Sequence, residues 1–152
     1  MKNIFFYQTN IGEIGIVENK DAITNLFIKR ERIPQEVVVK ETVVLKEAGK
    51  QLMDYIAGKR KCFELPLAPE GTEFQQIVWK ALQEIPCGET RSYGDIARSI
   101  GQPKASRAIG MANNKNPILI FIPCHRVVGA NGKLVGYAAG LQVKQYLLKL
   151  EK

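Results

Sequence analysis

Cys124, His125 and Arg126 follow one another directly after Pro123, and His125 is the only histidine in the 152-residue chain. A cysteine beside a titratable base and a cation points to nucleophilic chemistry. The reactive species is the thiolate, and an ordinary thiol of pKa about 8.5 supplies little of it at neutral pH. The approach to this trio is an apolar run, Ile118 to Ile122, fenced by Pro117 and Pro123, and it reads as a buried segment. In an extended chain adjacent side chains point to opposite faces. Cys124 and His125 then need a sharp turn or a bridging water to cooperate. On the residues alone two readings stand: a reactive cysteine served by His125, and a buried cysteine acting as a small hydrophobe.

The elements that must position these residues divide at Leu65-Pro66-Leu67-Ala68-Pro69-Glu70-Gly71. Before it, strands are expected over 2–8, 12–18 and 22–29, with turns at Asn10-Ile11-Gly12 and Asn19-Lys20-Asp21. A charged connection runs from Lys29 to Glu36 and contains Pro34. From about Glu41 the period becomes helical, with Leu45, Ala48, Leu52, Tyr55 and Ile56 on one face and Gly58 as the stop. Cys62, beside Phe63, is expected in a further strand as a small hydrophobe. Strands and one helix make a small α/β layer over residues 1–65.

Residues 66–152 read as mainly helical. Thr72 caps a helix with Phe74, Ile77, Val78, Ala81, Leu82 and Ile85 on its buried side and Trp79 in the core. Pro86-Cys87-Gly88 stops it and leaves Cys87 in a turn. Ser92 precedes a short helix, Tyr93 to Ile100; Gly101-Gln102-Pro103 breaks it, and a second runs from Lys104 to Ala112. Such a pair resembles a helix-turn-helix. The second helix is nearly without bulk at Ala105, Ser106, Ala108, Gly110 and Ala112, and Arg107 projects from it. Small residues with one arginine suit close approach to a phosphate or base; they equally suit tight packing on another helix. Val127-Val128 and Leu134-Val135 flank Asn131-Gly132, a hairpin signal that would add a wing. A last helix from about Leu141 is expected to bury Leu141, Tyr146 (or Gln145), Leu147, Leu148 and Leu150.

The formal charge is +7. Through Pro66 there are 11 Lys and Arg against 9 Asp and Glu, and after it 11 against 6. The excess fits a polyanionic partner or a merely solvated basic surface. Three cysteines (Cys62, Cys87 and Cys124) are an odd number without framework spacing, which argues for a reducing compartment. There is no C-x-x-C, and one histidine offers few ligands, so no zinc site is expected. The N-terminus lacks the pattern of a signal peptide, and no apolar run approaches the roughly 18 residues of a membrane span. A soluble, cytoplasmic monomer with no membrane association is expected.

Ile122-Pro123-Cys124-His125-Arg126-Val127 closely resembles the signature of the O6-alkylguanine-DNA alkyltransferases, also called methylated-DNA–protein-cysteine methyltransferases. Gly88-Glu89-Thr90, Ser92 to Ala97, Ser106 to Gly110, Asn116-Pro117, Gly136-Tyr137, Gly140-Leu141 and Lys144 stand at that family's spacing. The resemblance is strong over 66–152 and holds in outline before that. It implies a ribonuclease-H-like α/β domain followed by a winged-helix-like DNA-binding domain, and a cofactor-free, metal-free reaction. An alkyl group on O6 of a guanine in double-stranded DNA, flipped out of the stack, is transferred irreversibly to Cys124, and O4-alkylthymine is a further possible substrate.

The resemblance also implies roles. Cys124 accepts the alkyl group, His125 takes its proton through a water, and Glu151 orients the imidazole. Tyr93 donates to the departing guanine, and Asn116 ties the turn that aims the cysteine. Ala105, Ser106, Arg107, Gly110 and Arg126 face DNA, with Arg107 filling the space of the extruded nucleotide. Tyr137, Ala138, Ala139 and Lys144 form the substrate pocket. Ala138 and Ala139 stand where many relatives carry Ser and Gly, and Ala139 is expected to narrow or reshape that pocket. Three other functions predict different residues. A non-repairing alkyltransferase-like protein lacks the cysteine. A winged-helix regulator carries bulky polar side chains on its recognition helix. A cysteine hydrolase needs a second, distant histidine.

Overall fold

Residues 1–28 and 33–152 are described by a computed structural model. Contacts group them into two units, one of residues 1–70 with 117–121, the other of residues 71–116 with 122–152.

In the first unit β1 (Lys2–Thr9) turns at Asn10 and Ile11 into antiparallel β2 (Gly12–Asn19). Lys20 and Asp21, with φ of 53° and 66°, carry the chain into β3 (Ala22–Phe27). Two central residues of positive φ match the right-handed twist of the flanking strands. The edge strand β4 (Val37–Val39) lies parallel to β1, giving the order β3-β2-β1-β4. Helix α1 (Val43–Ile56), capped by Thr42, buries Leu45, Ala48, Leu52 and Tyr55 as its periodicity predicts. Gly49 is required there, because a Cβ would lie 2.4 Å from the Tyr7 ring.

Two expectations change in this unit. The strand expected over 22–29 ends at Phe27, and its last position, like the start of the charged connection, lies outside the described residues. Cys62 is not in a strand: it is exposed in a bend after α1. The following stretch is held instead by Gln51, whose side chain bonds the Glu64 backbone in both directions, and by a bridge of Leu67 to Ile23. The apolar run before Cys124 is buried, as expected, and it bends within its length. Leu26 pairs with Ile118; Ile120 then takes a φ of 70°, and the Phe121 N–H donates to the Leu119 carbonyl at 2.8 Å. A β-branched residue at positive φ is a backbone outlier held by its surroundings.

In the second unit α2 (Glu73–Gln83) starts at a Thr72–Gln75 capping box and buries Val78, Trp79 and Leu82. The expected buried arc is rotated: Ile77 is 43% exposed and Phe74 half-buried. Trp79 turns that face inward, its indole N–H donating to the Ala112 carbonyl at 2.9 Å. Helices α3 (Tyr93–Ser99) and α4 (Ser106–Asn114) form the helix pair, the first capped by Ser92 with Asp95.

The wing differs from expectation. Leu134 and Val135 form no strand, and the turn is closed by the Gly129 N–H donating to Lys133. Strand β6 (Val127–Val128) pairs in parallel with β5 (Arg91–Ser92), so its ladder bonds are taken by a strand other than the hairpin partner. In α5 (Leu141–Leu150) the buried residues are Leu147 and, unexpectedly, Lys144, whereas Leu141 is 48% exposed. No helix among the described residues is long and apolar enough to cross a membrane.

Trp79→Phe keeps most of the buried area but removes the indole donor to the Ala112 carbonyl, which retains the Lys115 N–H at 3.1 Å. We expect destabilisation of about 0.5–1.5 kcal/mol, read as a lower urea midpoint at unchanged m-value.

Candidate functional site

Pro123 has φ −80° and ψ 62°, and the Cys124 N–H donates back to the Ile122 carbonyl at 2.8 Å. That is an inverse γ-turn, and the proline ring fixes φ for it. Cys124–Arg126 then form one turn of 3₁₀ helix. Successive residues of such a turn are about a third of a circle apart, so the opposed geometry of an extended chain does not apply.

The turn is moored by α4 and the residue that follows its C-terminal end. Asn116 Nδ2 donates to the same Ile122 carbonyl at 2.9 Å. Asn113, on the buried side of α4, donates to the Cys124 carbonyl at 3.4 Å. Asn113 was not singled out in the sequence; the only signal was the Asn113-Asn114-Lys115-Asn116 run closing the helix.

Behind the cysteine lies a buried charged group. His125 is fully buried, and its Nε2 is 2.7 Å from Glu151 Oε2. Glu151 caps the C-terminal end of α5, where a carboxylate opposes the helix dipole. Arg126 compensates: its Nε donates to Oε1 at 2.9 Å, its Nη2 to Oε2 at 2.8 Å, and its Nη1 to the Ile85 carbonyl at 2.7 Å. Arg126, expected to face DNA, is therefore corrected to a buried counter-ion. A guanidinium fork matches both carboxylate oxygens, which draws it inward.

A carboxylate at Nε2 requires that nitrogen to carry the proton. The lone pair of the neutral ring is then on Nδ1, which is buried with no hydrogen-bond partner among the described residues. Burial lowers the His125 pKa, and although the Glu151 carboxylate pulls it up, Arg126 and Lys144 add to the lowering. With Arg126 already offsetting Glu151, burial prevails and the imidazole is neutral at pH 7.

Cys124 is 1% exposed. Burial pushes its thiol from 9.0 up to about 11, opposed by hydrogen bonding from Asn116, the charge of Lys144 and its own backbone. Lys144 is buried on α5, and its ammonium donates to the Val135 and Gly136 carbonyls at 2.9 and 3.2 Å. Burial lowers its pKa, against the pull of Cys124. Tyr93, first residue of α3, donates its hydroxyl to the same Val135 carbonyl at 3.1 Å. Its pKa is raised, first by burial and then by the field of Cys124, so it is a neutral donor.

The segment after Val135 turns at Gly136, φ 59°, and Gly140, φ 100°. Between them Tyr137 and Ala139 are buried and Ala138 half-buried. On α4, Ser106 and Arg107 are exposed, Ala105 and Gly110 half-buried. The Tyr93 ring comes within 3.7 Å of where a Gly110 Cβ would stand. Cys62 and Cys87 lie outside this constellation, the first exposed and the second half-buried.

Two family models match the chain. Residues 5–69 match the ribonuclease-like domain of 6-O-methylguanine DNA methyltransferase, and residues 73–152 match its DNA binding domain. The chain belongs to this family. A methylated-DNA–protein-cysteine methyltransferase of Methanosarcina acetivorans is 53% identical over 149 residues, covering 95% of each chain. The constitutive one of Bacillus subtilis is 49% identical over 152 residues, covering 95% of this chain and 92% of its own. The crystal structure of Mycobacterium tuberculosis OGT in complex with DNA superposes with a TM-score of 0.93 at 44% identity, covering 98% of this chain and 92% of that one.

Two outcomes follow from the site. Because the folded pKa of Cys124 is raised, its contribution to stability is present below pH 9.0 and is lost as pH rises through about 11. Iodoacetamide labelling of Cys124 in the native protein should keep rising with pH beyond 9.0 toward about 11; a plateau below 9 would show an activated thiolate at rest. Glu151→Gln leaves the Arg126 charge buried without its partner. It should cost about 3–5 kcal/mol, measured by denaturant titration, and should also lose the fixed His125 tautomer.

Proposed function

We propose that this protein repairs double-stranded DNA by moving the alkyl group of O6-alkylguanine onto Cys124, once per molecule. The observation that carries this reading is a buried, neutral imidazole next in sequence to a buried cysteine, with Nε2 fixed by Glu151 and Nδ1 left as the acceptor. Family membership supplies the substrate class.

At pH 7 a thiol of pKa about 11 is ionised in roughly one molecule in ten thousand. The resting cysteine is thus protected, and its activation is coupled to the substrate. The Cys124 proton passes through an intervening water to His125 Nδ1, and the Glu151 carboxylate, itself held by Arg126, stabilises the resulting imidazolium. The sulfur attacks the alkyl carbon; the carbon–O6 bond breaks, and its electron pair goes to guanine. Tyr93 releases its bond to Val135 and protonates the purine ring, so that neutral guanine leaves. The imidazolium proton returns to the tyrosinate through solvent. The net change is a thiol and an alkylguanine converted to a thioether and guanine. Nothing in the site cleaves a thioether, so the protein is consumed.

The target atom lies within the base stack, and extruding the nucleotide costs a few kcal/mol. Arg107, exposed at the start of α4, offsets this by occupying the vacated space, while Ala105, Ser106 and Gly110 let the helix approach closely. Tyr137, Ala138 and Ala139 line the base pocket, with the Ala138 N–H directed to the guanine oxygen. Lys144 holds the pocket segment through its two carbonyl contacts. The protein acts as a single subunit in the cytoplasm, where its thiols stay reduced. No cofactor or metal takes part.

A duplex carrying one labelled O6-methylguanine should transfer one methyl group per protein, and peptide mass spectrometry should place it on Cys124. Label elsewhere, or several methyl groups removed per polypeptide, would refute the proposal. Cys124→Ser should lower transfer by at least about a thousandfold, because an alcohol is far less ionised than a thiol.

A further inference from the structure

Met111 stands out on α4. It is 65% exposed, the most exposed large hydrophobic residue among those described in its unit. An isolated exposed methionine is ordinary, so its position carries the argument. Ile109, Ala112 and Asn113 form the buried side of the helix. Arg107, Met111, Asn114 and Lys115 are exposed, and their spacing of four, seven and eight residues puts them on one outward face. Met111 is thus one turn from Arg107, on a helix whose other exposed residues beside Arg107, Ser106 and Ala108, are small. Helix propensity does not call for it there, since Lys, Gln or Arg would serve as well at an exposed site.

We propose that Met111 is a second DNA-contacting residue, which packs its thioether chain on the deoxyribose and base of a nucleotide flanking the extruded one. The inference rests on α4 being the DNA face. Four residues of helix advance about 6 Å, and one DNA strand advances about 3.4 Å per nucleotide. With α4 laid along a strand, Met111 falls between one and two nucleotides from the point where Arg107 enters, so its long side chain reaches the flanking one. Methionine has no strong donor or acceptor to read a base edge, but it is flexible and polarisable, and it is among the side chains that wedge against base steps in bent or opened DNA. The contact is sequence-neutral, as repair in any sequence context requires. Arg107 supplies charge and fills the gap; Met111 holds the neighbouring stack open by apolar contact.

The test measures affinity for an O6-methylguanine duplex in the full-length chain carrying Cys124→Ser, so that no transfer occurs, across a series of salt concentrations. Met111→Ala and Met111→Gln should each weaken binding by up to roughly tenfold at every salt concentration. The slope of log affinity on log salt should not change, because no phosphate contact is lost. Met111→Leu should restore most of the affinity. Arg107→Ala should weaken binding and reduce the slope by about one. If Met111→Ala binds like its parent while Arg107→Ala is weaker, the Met111 contact is overturned and the DNA face stands. If neither variant loses affinity, α4 is not the DNA face and the parent reading fails. A changed slope in Met111→Ala would also overturn the apolar contact.

Discussion

Glu151 accepts hydrogen bonds from His125 and Arg126 at once, and the arrangement around Cys124 depends on that one carboxylate. Remove its charge and a guanidinium is stranded in a low-dielectric interior, a far larger penalty than losing a surface ion pair. Leave it without Arg126 and it would favour the imidazolium, because an opposite charge that close raises a histidine pKa. With both partners present the charges offset, and His125 keeps a defined tautomer in its neutral form. Adjacent residues 125 and 126 in a 3₁₀ turn reach a single acceptor at the end of α5, so backbone geometry and electrostatics specify each other.

A second shared acceptor organises the other side of the site. The Val135 carbonyl receives both the Tyr93 hydroxyl and the Lys144 ammonium. Two donors on one oxygen mean that neither is the carbonyl's sole partner. The buried lysine holds the 135–136 backbone through its two carbonyl contacts, and its charge opposes the upward shift of the Cys124 thiol. The depressed Lys144 pKa measures what burial costs it.

Most of the fold was legible where a single physical signal dominates. Thr72 and Ser92 are capping residues with their partners three positions on, and both helices start there. The face of α1 follows its 3.6-residue period. Misreadings occurred where a distant group overrode the local signal. Ile77 lost its buried place because Trp79 has a long-range acceptor in Ala112. Val127 and Val128 pair with Arg91 and Ser92 rather than across the Asn-Gly turn, since a parallel partner 36 residues upstream captured the ladder. Lys144 was not among the residues of the last helix expected to be buried, and it is buried because two carbonyls 8 and 9 residues before it receive its charge.

By itself the sequence determined the chemical inventory: one histidine, a cysteine beside it after a proline, a helix stripped of bulk around an arginine, and motif spacing that specifies the family. Those are properties of covalent order, and no packing alters them. Tertiary structure alone decided which partner each group meets. It made Arg126 a counter-ion rather than a DNA contact, chose Nδ1 as the basic nitrogen of His125, and set the thiol at rest by burial. Each outcome depends on distances between residues far apart in the chain, and both Coulomb energy and desolvation are functions of those distances.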